Sequence, residues 1–483
     1  MAAEDAIPSI LIQTVKESAF YTKNRLEELL SADYPYPTSQ EFIRALIAIH
    51  KGLLQKLEQM DITTKIENGF EEKAIAIQRY GQILNSLHSL LQILEMGRRE
   101  YVPQGIVILI ANIMKVFSST AKFLLLPTYE YNYMYVELIN PLKTALRDIL
   151  VDLEKTLGFA DKFAIFWFPL AHKENALLNV LLAHEIGHFL SDEKQIVGKL
   201  ISKVTIDQSK IQEIAQELLQ TRLVTEKKDI KINDFFGLET AKAQVMLEVV
   251  AKVSEKLREL VADSIAFHLF GPAFLIALGN FLVTLQDPNV EPKGYPSPKV
   301  RLRFLIDEFE KAGYGETLKR KESSAENTQK VAAGKFSDIV ENWRKYMTKE
   351  KTPADDKKAM LVQAAINSVE ESIREEVSAV TATCEYSAKK FETEAFTLID
   401  TIDSFVPPAE IGLEEPANPI SILNAGMLYE QTLIDNMHVS LADHTMDERL
   451  LTRHKLHKLI MKAIESSQTQ TTMKEMENKP PES

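Results

Sequence analysis

The segment LLNVLLAHEIGHFLSDE, residues 177–193, constrains the fold of this chain more than any other stretch. Its apolar residues recur at helical spacing, which predicts a helix with a buried face. Three ionisable side chains, His184, Glu185 and His188, interrupt that pattern within five residues. Burying such groups without a compensating bond is costly, so they need partners. The helix must either carry a satisfied polar patch or hold a bound group.

A second apolar segment, RELVADSIAFHLFGP (258–272), raises the same question. Glu259 and Asp263 are four residues apart, which places both carboxylates on one face of a predicted helix. Two carboxylates on an apolar face are costly unless they are paired or bind a metal ion. The two segments together therefore favour a metal site over two independent polar patches.

The spacing in the first segment is typical of a zinc site. His184 and His188 lie one helical turn apart, so both imidazoles can bind one ion. Glu185 lies about 100° round the helix, where it can reach a water on the metal without being a ligand. Gly187 allows a neighbouring element to approach closely. Of Glu259 and Asp263, one is expected to be the third ligand and the other to accept a hydrogen bond from a ligating histidine, but their spacing leaves the two roles exchangeable.

These two motifs resemble those of the gluzincin metallopeptidases, in which an E-x-x-x-D follows H-E-x-x-H. The nearest likeness is to the CAAX-prenyl-protease-like group, where a proline-containing basic stretch also follows. In this chain that stretch is YPSPKVRLRFL, residues 295–305. The resemblance spans about residues 160–310, roughly a third of the sequence. Clear transmembrane helices, usual in that group, are missing here.

The resemblance implies a zinc-dependent metallopeptidase. It assigns His184, His188 and Glu259 as Zn²⁺ ligands, Glu185 as the base that activates zinc-bound water, and Asp263 as the group that orients a ligand. The implied substrate is a peptide or protein. A non-catalytic alternative stays open, in which the same residues form a structural zinc clamp in a helical interaction protein.

Other residues are weaker candidates for the same chemistry. His268 and Tyr295 are possible donors to the transition-state oxyanion, with a packing role as the alternative. FAIFWFPL, residues 163–170, predicts a strand that could be either an edge strand pairing with substrate or a core strand. His172 and His457 are expected at the surface.

Charge and cysteine content limit the class of protein. The formal net charge is −13, which argues against nucleic-acid binding, since that needs a concentrated basic face. Cys384 is the single cysteine, so no intrachain disulfide can form. The N-terminal residues have no basic region followed by a long apolar run, so no secretory signal is expected. We therefore expect a cytoplasmic protein; its oligomeric state stays open.

Residues 264–286 carry no charged side chain and are long enough to span a membrane. Gly271 and Pro272 interrupt this run, and a proline there should end a helix. We therefore predict two buried segments that meet at a Gly-Pro corner. Membrane-associated processing would depend on the opposite interpretation.

The fold class is expected to be mainly α, because 17 glycines and 19 prolines in 483 residues leave room for long helices. A multi-helical protein is predicted, with a central zincin-like unit that carries at most a small β element. Helices are expected over residues 104–125 and 133–157, among others. The predicted regions are 1–150, 151–312, 313–465 and a disordered tail, 466–483.

Overall fold

A computed structural model describes most of the chain and confirms that the protein is mainly α. The described residues are 3–62, 70–117, 122–137, 163–226, 234–285, 294–325, 327–348, 356–412, 415–433 and 446–477. The chain divides into two compact units, Met1–Asn175 and Ala176–Ser483.

Within the described residues, the first unit contains four α-helices and a three-stranded sheet. Its elements are α1 (Ala3–Leu29), α2 (Pro37–Ile62), α3 (Phe70–Met96), α4 (Gln104–Phe117), β1 (Lys122–Thr128), β2 (Met134–Glu137) and β3 (Phe163–Pro169). Helix α1 packs against α2 and α3, and both of these contact β1. The apolar sequence of β1 and β3 fits this burial, since a strand covered on both faces is apolar throughout.

Strand β3 is the central strand of the sheet. It pairs in parallel with β1 and antiparallel with β2, so that Phe166 lies between Leu125 and Tyr135. Pairing on both sides leaves β3 no free edge along this stretch, which rules out the prediction that it could bind substrate by strand addition. It is a core strand.

Two helix predictions in this unit are wrong where the sheet forms. Residues 122–125, predicted as the end of a helix, belong to β1, and residues 134–137, predicted as the start of the next, belong to β2. The remainder of that second prediction, 138–157, lies outside the described residues. His172 was expected at the surface but is 6% exposed. Its Nδ1 lies 2.9 Å from the hydroxyl of Tyr133, which gives the buried ring a hydrogen-bond partner.

The second unit is built from helices with one short hairpin. The helices are α5 (Leu182–Lys194), α6 (Ile196–Ile201), α7 (Gln208–Glu226), α8 (Asp234–Phe270), α9 (Pro272–Leu285), α10 (Pro298–Lys311), α11 (Tyr314–Ser324), α12 (Asn327–Thr348), α13 (Lys357–Asn367), α14 (Glu370–Thr381), α15 (Phe396–Asp403), α16 (Pro419–Thr432) and α17 (Met446–Glu477). A helical turn, Ala388–Lys390, and a π-helical turn, Phe391–Ala395, lead into α15. The hairpin consists of β4 (Glu410–Ile411) and β5 (Glu415–Pro416).

Helix α8, with 37 residues, is the centre of this unit. It contacts α5, α7, α10, α13 and α14, which come from both sides of position 312 in the sequence. The predicted boundaries at 150 and 312 therefore do not match the structure, in which the division falls after Asn175. The C-terminal helices α13 and α14 pack directly on the helix that carries Glu259.

The Gly-Pro corner is confirmed. Helix α8 ends at Phe270, Gly271 adopts a left-handed φ of 62°, and Pro272 begins α9. The side-chain amide of Asn424 bridges the corner, donating to the carbonyl of Phe270 at 2.8 Å and accepting from the N–H of Ala273 at 2.9 Å. Among the helices of the described residues, none combines the length and the apolar character that a membrane span requires.

The predicted disordered tail is wrong over most of its length. Helix α17 continues to Glu477. Within the predicted tail Ser467 is buried, and its hydroxyl donates to the carbonyl of Ala417. His457, expected at the surface, is 7% exposed and lies 3.3 Å from a carboxylate oxygen of Glu430. Residues 478–483 lie outside the described part.

Candidate metal centre

Helix α5 presents His184 and His188 on one face, with their ring centroids 4.5 Å apart. The helix begins at Leu182, after a 3-10 turn, Leu178–Leu181. Its last residue is Lys194, and the next residue, Gln195, adopts a left-handed φ of 53°. The two imidazoles therefore lie in the first two turns of a short, well-defined helix.

Gly187, between these histidines, is where α5 and α8 approach most closely. A Cβ atom at Gly187 would lie 2.5 Å from the carbonyl oxygen of Ala262 and 2.8 Å from its Cα. Backbone atoms cannot move away as the end of a side chain can. The glycine thus allows α5 to lie directly against the part of α8 that carries Glu259 and Asp263.

We expect Gly187→Ala to destabilise the protein by about 1–3 kcal/mol, the usual cost of overpacking a filled site, or to prevent folding. Gly198→Ala is the matched control, because a Cβ there meets nothing within 4 Å and alanine favours the helix. Thermal unfolding followed by circular dichroism measures both variants. Equal unfolding midpoints would show that the contact with Ala262 is not tight.

The structure brings Glu259 to the two histidines. Its Oε2 lies 3.2 Å from Nε2 of His184, and its Oε1 lies 3.5 Å from Nε2 of His188. Zinc bonds of about 2.0–2.2 Å in tetrahedral geometry place neighbouring ligand atoms about 3.3–3.6 Å apart. The donor atoms of His184, His188 and Glu259 all lie within 4.8 Å of one another. The three side chains are therefore close enough to hold one metal ion between them, although 4.8 Å is wider than the spacing of ligand atoms on a bound zinc ion.

One buried atom at this cluster, Nδ1 of His188, has no hydrogen-bond partner within the described part of the chain. Oε2 of Glu259 is also buried and faces Nε2 of His184 at 3.2 Å. A metal ion between the two side chains would replace this pairing. The donor set therefore fits a bound cation.

Asp263 orients the first histidine. Its Oδ1 lies 2.8 Å from Nδ1 of His184 and accepts a hydrogen bond from it. Nε2, on the other side of the ring, faces Glu259 at 3.2 Å. A carboxylate behind a ligating histidine is the usual way of fixing its tautomer and ring orientation. The two carboxylates thus have different partners: Glu259 faces the Nε2 atoms of both histidines, and Asp263 contacts Nδ1 of His184.

Arg301, which sequence reasoning did not single out, holds Asp263 in turn. Its Nε and Nη2 donate to the two carboxylate oxygens at 2.7 Å each, and both side chains are buried. The available signal was the basic stretch at 295–305, in which Ser297 caps α10 and Pro298 begins it. Nothing in that stretch alone distinguishes Arg301 from Arg303, which pairs with Glu370 at the surface.

The electrostatics of the site favour positive charge at the metal position. Burial alone would lower the pKa of His184, but the carboxylates of Asp263 and Glu259 outweigh it and raise that pKa. Burial would raise the pKa of Asp263, but Arg301 holds it below its usual range. The site thus combines three buried carboxylates, Glu185, Glu259 and Asp263, with the buried guanidinium of Arg301 and with the imidazole of His184, whose protonated form Asp263 and Glu259 favour.

Glu185 is a buried carboxylate next to the cluster in sequence: it lies on α5 directly after His184 and is 7% exposed. Burial raises the pKa of its carboxyl, the charge of His184 acts in the opposite direction, and the negative charge of Glu259 adds to the rise. A carboxylate that is less stable when ionised accepts a proton more readily, which suits general-base chemistry.

The two candidate oxyanion donors have different outcomes. His268 is nine residues beyond Glu259 on the same helix, which separates them by about 13 Å along the axis. Its ring nitrogens face Glu308 and Glu385, at 3.2 Å each, so His268 is wrong as an oxyanion donor. Tyr295 is 44% exposed, and burial together with the charge of Glu259 raises the pKa of its hydroxyl; its role stays a prediction.

Comparison of the chain with protein-family models, with curated proteins and with solved structures gives no match. The function therefore has to be argued from the geometry of the site itself.

Proposed function

We propose that this protein is a zinc-dependent metallopeptidase of the gluzincin type. The observation that carries the proposal is the clustering of His184, His188 and Glu259, whose donor atoms lie within 4.8 Å of one another, close enough to be drawn onto one zinc ion. It is supported by the carboxylate behind His184 and by the buried Glu185 beside it.

The roles follow from the chemistry of these side chains. A zinc ion held by His184, His188 and Glu259 would supply Lewis-acid activation of a water molecule and of the substrate carbonyl. Glu185 takes the proton of the attacking water and gives it to the leaving amine. Tyr295 is the candidate for donating a hydrogen bond to the carbonyl oxygen as negative charge develops there.

A structural zinc clamp is the alternative, and two observations weigh against it. Structural zinc sites are usually closed by four protein ligands, whereas the cluster found among the described residues offers three. A clamp also has no use for a buried Glu185 beside the ligands. An open fourth position next to a potential base favours catalysis.

Metal analysis of the purified protein tests this proposal first. We expect about one zinc ion per chain, because three protein ligands suffice for a catalytic zinc site. The double variant His184→Ala, His188→Ala should lose it, whereas His88→Ala, at an exposed position on α3, should keep it. Full zinc occupancy in the double variant would rule the site out. If the protein binds zinc but hydrolyses no member of a library of unstructured peptides, the structural zinc clamp is favoured.

A further inference from the structure

A second buried polar cluster lies beside helix α8, farther along that helix than Glu259. None of its side chains takes part in the proposed hydrolysis. Its centre is Glu308 on α10, which is 4% exposed. One carboxylate oxygen accepts from Nε of Arg374 on α14. The other lies 3.2 Å from the hydroxyl of Ser264, which donates to it, and 3.2 Å from Nε2 of His268. Glu308 therefore joins α8, α10 and α14.

This cluster is balanced in charge without any added ion. Nδ1 of His268 lies 3.2 Å from a carboxylate oxygen of Glu385, so the imidazole stands between two carboxylates. Burial would lower the pKa of His268, but Glu308 and Glu385 raise it to about 9. Near neutral pH, His268 and Arg374 therefore offset Glu308 and Glu385. The cluster has the composition of a structural crosslink and not of a second metal site.

The crosslink and the metal centre share the same pair of helices. Arg301 and Glu308 are seven residues apart on α10, which places them on one face, two turns apart. Their partners on α8 are Asp263 and its neighbour Ser264. Glu308 also contacts His268 on α8, so the interface between α8 and α10 carries polar contacts at both positions, and these depend on the register of the two helices.

The contacts of Arg301 with Asp263 depend strongly on the register of α10 against α8. It reaches both oxygens of Asp263 at 2.7 Å, and a two-point contact of this kind tolerates little sliding or rotation of α10. One of those oxygens also accepts from His184. Apolar packing fixes the distance between helices but allows them to slip, whereas directional contacts such as those of Glu308 fix their register.

We propose that Glu308 is a positioning residue for the metal centre. It holds α10 in the register at which Arg301 grips Asp263, and Asp263 in turn orients His184 toward the metal. This inference rests on the proposed function, since it concerns the same zinc site.

The test is zinc affinity of the full-length protein, measured by competition with a chelator. Glu308→Gln keeps the shape of the side chain but removes its charge and turns one acceptor into a donor. We expect zinc affinity to fall by about 10-fold, at the lower end of the effect of losing a group behind a ligand. Glu310→Gln is the matched control on the same helix, because Glu310 pairs with Arg344 at the surface. It should bind zinc as the wild type does.

A double-mutant cycle separates positioning from general stability. If Glu308 acts through Arg301, Glu308→Gln should have little further effect on zinc affinity in an Arg301→Gln background. Additive effects would overturn the proposal. If Glu308→Gln does not fold, Ser264→Ala replaces it in the same cycle, because this change removes one donor to Glu308. Wild-type protein that binds no zinc contradicts the proposed function, whereas wild-type binding that Glu308→Gln leaves unchanged contradicts the positioning role alone.

Discussion

Glu185→Gln should leave zinc content and fold intact while the rate of peptide hydrolysis falls by about 10²–10⁴-fold. The expectation follows from the position of Glu185, which is buried beside His184 but is not among the three donors of the cluster. Glutamine has nearly the same shape and cannot take a proton. Because the mechanism uses this carboxylate twice, once to accept a proton and once to return it, the loss should lie at the upper end of that range.

The measurement is initial hydrolysis rate against zinc content, on the same preparation. Glu213→Gln is a suitable control, since Glu213 pairs with Lys357 at the surface of the same unit. Its hydrolysis rate should match that of the wild type. A fully active Glu185→Gln enzyme would exclude the proposed base, and a variant that has lost its zinc would make Glu185 a ligand.

The helices were predictable from the sequence where their apolar pattern was long and bounded. Helix α8 and its end at the Gly-Pro corner are examples, because Gly271 and Pro272 determine the backbone conformation at that point by themselves. The close approach at Gly187 was predictable for the same reason, since the absence of a side chain is visible in the sequence. Local chemistry was sufficient in each case.

The errors arose where distant contacts decide the structure. Residues 122–125 follow α4 closely in the sequence, and a short apolar run such as Phe123–Leu126 fits a helix or a strand equally well until its partners are known. Here the partner is β3, far along the chain. The polar sequence after residue 465 suggested disorder, but burial of Ser467 against the segment before α16 keeps it helical.

The candidate site shows the same division. The sequence placed His184, His188 and Glu259 in buried helices but could not show that their donor atoms meet. Arg301 was missed because its role depends on the packing of α10 against α8, which no local pattern records. His268 was wrongly assigned because its partners, Glu308 and Glu385, lie on other elements.

Exchanging each of the two α8 carboxylates for its amide should separate their roles by the size of the effect on zinc affinity. Glu259→Gln replaces an anionic ligand by a neutral amide oxygen, so we expect zinc affinity to fall well beyond 100-fold. Asp263→Asn keeps a ligand set intact and disturbs only the orientation of His184, so the loss should be about 10–100-fold. The amide is preferable to alanine at Asp263, because complete removal would leave the buried Arg301 unpaired, at a cost of about 3–5 kcal/mol.

Zinc titration of both variants, at a temperature where each is folded by circular dichroism, gives the order. A larger loss in Asp263→Asn than in Glu259→Gln would reverse the assignment of ligand and orienting group. Unchanged affinity in both would place the third ligand elsewhere and contradict the gluzincin interpretation. The expected order depends on one geometric fact: Glu259 faces both imidazole Nε2 atoms, whereas Asp263 contacts His184 through Nδ1, on the far side of its ring.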